Sequence, residues 1–211
     1  MLFRSLQLAP GDYQAEALLD GYEPAATRFT VRPGEPLNLS LNLTSWRASF
    51  RLYSEAEDGK ATFGDRPLAT GPSGDILYDG FADGDYLLTY SSRAGEVSAN
   101  LRFTSGALPS LVAPPQAKNF VLVLVHQRGD RAIVYSNVPG ARAGLDGAPA
   151  EPIPIEGREF SQLSPGDHRL VIEEEKMVRT IPLSSGGGPA VNAYIFAPAA
   201  PDRGTLLLVA G

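Results

Sequence analysis

Apolar and polar residues alternate with period two along most of this chain, and the alternation restarts three times at the same turn. The phrases "APGDYQAEAL", "ADGDYLLTYS" and "SPGDHRLVIE" each carry a Gly-Asp pair, at 11–12, 84–85 and 166–167, with an apolar residue ahead of it, Leu8, Phe81 or Leu163. Alternation follows each turn, as in Tyr86, Leu88 and Tyr90 or His168, Leu170 and Ile172, the pattern of a strand with one buried face. A second strand comes next ("TRFTV", "ANLRFT", "RTIPL"), then a Gly/Pro turn and a third strand ("LNLSLNL", "FVLVLV", "NAYIF"). An Arg and a further strand follow: "WRASFRLYS" at 46–54, "DRAIVYSNV" at 130–138 and "DRGTLLLVAG" at 202–211. The stretch "VIEEEKMVRT" at 171–180 contains helix formers, but it sits where the other units have strand, and strand is expected there.

A fixed order of elements that returns along a chain marks a repeated module. By this parse residues 46–127 form one complete unit and 128–200 another, while 1–45 hold the second half of a unit. Residues 201–211 are the first strand of a further repeat, or a donor strand. The stretch "GALPSLVAPPQAK" at 106–118 replaces the short turns "RPGEP" and "SGGGP" of the other units and reads as a surface loop insertion. The expected fold is all-β: tandem small Ig-like or prealbumin-like β-sandwich domains, incomplete at both chain ends. A residue pair that recurs at one position of every unit is explained by geometry before chemistry. Gly supplies a backbone angle other residues avoid, and Asp is expected to accept a backbone N–H within its own turn.

The stretch "AIVYSNVPGARAGLDGAPAEPIPIEGREFSQLSPGDHRLVIE" at 132–173 resembles the PEGA domain. Pro139, Gly140 and Ala141 match the motif that names that family, Leu145, Asp146 and Gly147 its Asp-Gly hairpin, and Leu163, Pro165, Gly166 and His168 its later turn. The resemblance covers 128–200 and extends to 1–45 through "LAPGDY", "DGYEP" and "FTVRPGEPLNLSLNL". The middle unit departs from it, with "SEAEDGKATFGD" in place of Pro-Gly-Ala and Asp83 where the other units have Pro10 and Pro165. The resemblance implies small sandwiches of the carboxypeptidase-regulatory type, found in tandem on bacterial envelope and surface proteins and at the ends of some kinases. It implies binding or spacer modules, and it brings no catalytic set.

A formal charge of −6 without a Lys/Arg cluster argues against nucleic acid. The longest apolar run, "FVLVLV" at 120–125, is far too short to span a bilayer, so no membrane insertion is expected of this segment. Zero cysteines exclude disulfides, thiolate metal sites and cysteine nucleophiles. Two histidines, His126 and His168, fall in different units, whereas a zinc site takes three or four ligands, so no catalytic residue and no cofactor are expected. A Ser/His/Asp triad assembles only in space, but no Gly-x-Ser-x-Gly elbow is present. Asp75, Asp79, Asp83 and Asp85 in "SGDILYDGFADGDY" form a calcium candidate, set against the ordinary use of Asp-Gly pairs in turns. Trp46 is a poor carbohydrate platform by itself and is expected to pack in the hinge between half-unit and full unit.

A sandwich without its first strands leaves an apolar groove and unpaired backbone open to another strand. Thr205, Leu206, Leu207, Leu208 and Val209 are the candidate donor strand, to be accepted by the opening half-unit of a neighbouring copy in a head-to-tail filament. The competing expectation is an excerpt from a longer tandem array. The functional expectation is a non-catalytic structural or interaction segment of a bacterial cell-envelope or surface assembly, a rod-like spacer or subunit whose partners are proteins, including copies of itself. The alternative is a ligand-binding accessory module, for carbohydrate or peptide, of a larger enzyme or kinase; clustered exposed aromatic residues would distinguish it.

Overall fold

The computed structural model describes residues 7–19, 22–41, 43, 47–55, 58–68, 76–104, 106–174 and 177–197, with the backbone alone for 76–81. Among these residues there are eighteen strands and no helix, so the protein is all-β. The chain divides into two compact units, Met1–Trp46 and Arg47–Gly211.

In the first unit β1 (Gly11–Ala17) and β2 (Ala25–Val31) pair antiparallel. Alternation puts Tyr13, Ala15, Ala17, Thr27, Phe29 and Val31 on one face, where Tyr13 stacks on Phe29 with ring centroids 5.7 Å apart. These side chains are half-buried, and no described residue of the unit is buried. The run "LNLSLNL" at 37–43, expected as a third strand, forms none among its described residues. Alternation qualifies a segment for a sheet, but only a neighbouring backbone satisfies its N–H and C=O groups.

The second unit begins with β3 (Ala48–Ser54), β4 (Lys60–Phe63), β5 (Arg66–Leu68), β6 (Ile76–Phe81), β7 (Gly84–Ser91) and β8 (Glu96–Phe103). It continues with β9 (Ser110–Leu111), β10 (Gln116–Lys118), β11 (Val121–Arg128), β12 (Arg131–Ser136), β13 (Arg142–Leu145) and β14 (Glu151–Pro152). It closes with β15 (Arg158–Phe160), β16 (Gly166–Glu174), β17 (Met177–Ser185) and β18 (Ala190–Phe196). The expectation of strand at 171–180 holds at its described residues: 171–174 end β16 and 177–180 open β17.

Three sheets stack in this unit. The central one runs β15-β12-β11-β18-β3-β6, one outer sheet runs β10-β8-β7-β4-β5 with β9 also on β8, and the other runs β14-β13-β16-β17. The reason is legible in β11, which is apolar at both parities. Leu122 and Leu124 enter a core with Phe50, Leu88, Tyr90 and Leu101, while Val121, Val123 and Val125 enter a second core with Val134, Leu170, Ile172 and Leu183. β18 divides likewise, Val191, Ala193 and Ile195 to the first core and Tyr194 to the second. A strand buried on both faces reads as a continuous apolar run, whereas the outer strands alternate because one face meets water.

This arrangement differs from the expected division after residue 127. β11, the last strand of the expected unit 46–127, pairs with β12, the first of 128–200, and β18, the last of that unit, lies parallel to β3, the first of the other. Every other pair in the central sheet is antiparallel. The two sandwiches therefore share one sheet. The 106–118 segment also differs from a simple loop, because β9 and β10 both pair with β8 and extend an outer sheet.

Because β11 and β18 belong to both cores, residues 47–211 are expected to unfold in one transition. Leu124→Ala in the first core and Leu170→Ala in the second, both fully buried, should each cost about 2–5 kcal/mol and move the same calorimetric transition. Two separated transitions, each sensitive to one substitution, would show that the layers are independent.

Candidate functional site

The three Gly-Asp phrases form three versions of one corner. Gly11, Gly84 and Gly166 have φ of 158°, 153° and 123°, in the positive range that side chains avoid, and each opens a strand, β1, β7 or β16. The ring two residues on reaches back to the carbonyl four residues before it. Tyr13 Oη donates to Ala9 O at 2.9 Å, Tyr86 Oη to Ala82 O at 2.8 Å, and His168 Nε2 to Ser164 O at 2.8 Å. The corner is thus closed by an aromatic tip against the backbone of its own approach, as tyrosine corners close in other sandwiches.

The Asp of each pair bonds differently from the expectation. Its partner is the residue directly opposite on the next strand: Thr30 Oγ1 to Asp12 at 2.6 Å, Arg102 to Asp85 through two bonds of 2.7 and 2.8 Å, and Ser184 Oγ to Asp167 at 2.6 Å. In an extended strand the side chain leaves the turn and meets its cross-strand neighbour, so the carboxylate locks hairpin register. The Arg102 pair holds the Asp85 carboxyl below its ordinary range.

The third corner gathers the most chemistry. His168 Nδ1 lies 2.6 Å from Asp146 Oδ2, its Nε2 lies 3.2 Å from Ser185 Oγ, and its side chain is only 7% exposed. Asp146, in the left-handed region at φ 50°, also accepts the backbone N–H of Arg169 at 2.8 Å. Ser185, His168 and Asp146 are the three residue types of a nucleophilic triad, and sequence separation had hidden their meeting. The hydrogen bonding engages His168 and Ser185 with the backbone of the corner and Asp146 with that of Arg169. The Ser164 carbonyl can only accept, so Nε2 carries a proton, and the carboxylate makes Nδ1 a donor as well. While the ring holds both protons it has no lone pair to take a proton from Ser185, whose hydroxyl itself donates to Ser164 O.

The same contacts set the titration. The Asp146 hydrogen bond, seconded by Ser164 O and by the charges of Asp146 and Asp167, raises the His168 pKa. Asp146 is held low, first by the Arg169 N–H and then by His168. The signal available in sequence was the ring position itself, where His168 stands for Tyr13 and Tyr86, together with the Asp-Gly hairpin at 146–147.

His126 is the opposite case. It is fully buried in β11, donates from Nδ1 to Pro109 O at 2.8 Å, and thereby ties the 106–118 segment to the core. Burial pushes its pKa down to about 4 against the pull of that bond, so the ring is neutral. A buried ion pair lies elsewhere: Arg179 holds Glu174 and Ala197 O and sits 4.5 Å over the Phe196 ring, with both charged side chains 8% exposed. Burial raises the Glu174 carboxyl more than Arg179 lowers it.

Of the calcium candidates, Asp85 is engaged by Arg102, Asp83 lies at the start of its corner, and Asp75 and the Asp79 side chain fall outside the described residues. No group of three or more His, Asp or Glu side chains converges to hold a metal among the described residues. Trp46 and the donor candidates at 205–209 lie outside them. No family model matches the chain, and no match was found among curated proteins or solved structures.

The two histidines give pH dependences of opposite sign. The folded state refuses a proton at His126 that the unfolded chain takes up below 6.5, so stability rises from pH 4 to about 6.5. At His168 the folded state retains a proton the unfolded chain releases, so that contribution is complete below about 6.5 and is lost as pH rises through the elevated folded pKa. Urea unfolding from pH 4 to 9 should show stability highest near the crossing. His126→Asn should flatten the acid limb, and His168→Tyr, which restores the sister corner, should flatten the alkaline one. A limb that survives its substitution refutes that assignment.

Proposed function

We propose that this chain is a non-catalytic structural and interaction segment of a bacterial cell-envelope or surface assembly, built from PEGA-like or prealbumin-like cassettes and acting as a spacer or subunit. The observation that carries this reading is the pairing of β18 with β3: one cassette completes another cassette's sheet with its own last strand. That pairing supports a mode of joining through shared strands, by which a strand from a neighbouring copy would join with the same backbone chemistry. Residues 205–209 are the donated strand in this reading. The Ser164 carbonyl supports the non-catalytic part, since it lies within hydrogen-bond reach of both His168 Nε2 and Ser185 Oγ and competes for the bond a serine nucleophile would need from its base.

The accessory-module alternative would be served by an aromatic platform. Among the described residues the exposed large hydrophobic side chains include one aromatic, Tyr22.

Light scattering on the size-exclusion eluate, run over a range of concentrations, tests the proposal. The full chain should show a mass above the monomer that grows with concentration, and the chain lacking residues 202–211 should not. Two identical monomers would remove strand donation from the function.

A further inference from the structure

We infer that residues 37–43 are the acceptor strand of this assembly, and that their occupant is the apolar run at 205–209 of a second copy. The inference rests on the interaction role proposed above and names its acceptor.

The pairing pattern inside the second unit supplies the rule. The last strand of each cassette lies beside the first strand of another cassette: β11 beside β12, and β18 beside β3. The run "LNLSLNL" holds the last-strand position of the first unit, after the β1–β2 hairpin and the turn at Pro33 and Gly34, as β11 follows β7–β8 and β18 follows β16–β17. It has the composition of a strand and pairs with none among the described residues. Leu37 and Leu39 are 51% and 45% exposed, whereas Leu122, Leu124 and Val191 at the sister positions are fully buried. β3, the next first strand along the chain, already has β18 on one side and β6 on the other.

The occupant follows from the same rule. A last strand takes a first strand, and "DRGTLLLVAG" at 202–211 has the first-strand position and spelling of "DRAIVYSNV", which forms β12. Both runs are uncharged where they would pair: Asn38, Ser40 and Asn42 alternate with leucines in one, and residues 205–209 are Thr, Leu, Leu, Leu and Val. An added strand gains ladder hydrogen bonds for its backbone and lets alternate side chains cover an apolar face. On the β1–β2 hairpin of the same unit Tyr13, Ala15 and Phe29 are half-buried, and Leu8 ahead of it is exposed. Exposed large apolar side chains concentrate in this unit, with Leu18, Leu19 and Tyr22 besides Leu8, Leu37 and Leu39, the surface expected of a site awaiting a partner.

A synthetic peptide of residues 202–211, labelled for fluorescence anisotropy, tests the assignment on the chain lacking those residues. Saturable binding is expected, together with its loss in the Leu39→Pro variant, because proline removes a donor and strand geometry at the centre of the acceptor. Amide-exchange protection of the β1–β2 hairpin, in the same unit as the substitution, should be the same in both chains, which separates lost pairing from lost folding of that unit. Equal binding to both chains would overturn 37–43 as the acceptor while leaving strand donation intact. Absence of binding to either, with the full chain associating by light scattering, would overturn the 205–209 occupant. Absence of binding with a monomeric full chain would overturn both this inference and the function it rests on.

Discussion

Double-sided burial of the central sheet is the constraint from which the rest of the second unit follows. Val121, Val123 and Val125 point one way and Leu122 and Leu124 the other, all at or near zero exposure. Were β11 the face of an isolated sandwich, three valines would meet water, at about 1.5–3 kcal/mol each. That sum rivals the net stability of a domain, about 5–15 kcal/mol. A second sheet on the far side is therefore required, and β13, β16 and β17 supply it through Ala143, Leu170, Ile172, Ile181 and Leu183. β18 obeys the same demand and is drawn between β11 and β3, which makes the exchange of last strands a consequence of where apolar surface has to go.

Around that sheet the corners fix how each hairpin enters its layer. Gly84 turns the chain, Tyr86 closes the turn on Ala82, and Asp85 with Arg102 sets the register of β7 on β8. The third corner repeats the geometry with His168, and the change of ring adds a second bond to Asp146 on the β13 side. A tyrosine hydroxyl makes one contact at the tip of its ring, whereas imidazole donates from two sides and bridges two segments when it is charged. The triad-like company of Ser185 is a by-product of this bridging, since Ser185 lies opposite Gly166 at the foot of the hairpin.

Buried polar groups mark places where separate segments are fastened to one another. His126 holds Pro109, which turns an insertion into part of an outer layer. Arg179, stacked on Phe196 and bonded to Glu174 and Ala197 O, ties the far end of β17 to the end of β18. Neutralising one charge of such a pair would strand the other in a low-dielectric site, so the pair specifies an arrangement more than it adds net stability.

Read alone, the sequence determined the class and most of the strands. Period-two alternation at 84–91, 96–103 and 177–185 is a local property of the chain, and glycine at 11, 84 and 166 reports a backbone angle directly. The apolar run at 120–125 also announced a strand covered on both faces, a signal present at both parities though the repeat parse placed it in a single sandwich. Tertiary structure alone decided that β18 joins β3, that the Asp carboxylates bond across the hairpin, and that Asp146 and Ser185 meet His168. Pairing choice and side-chain meeting depend on which surfaces remain uncovered once neighbouring strands are placed, a property of the assembled sheets rather than of any stretch of chain. For the same reason the alternation at 37–43 spelled a strand, and among the described residues none supplies the neighbouring backbone that would make it one.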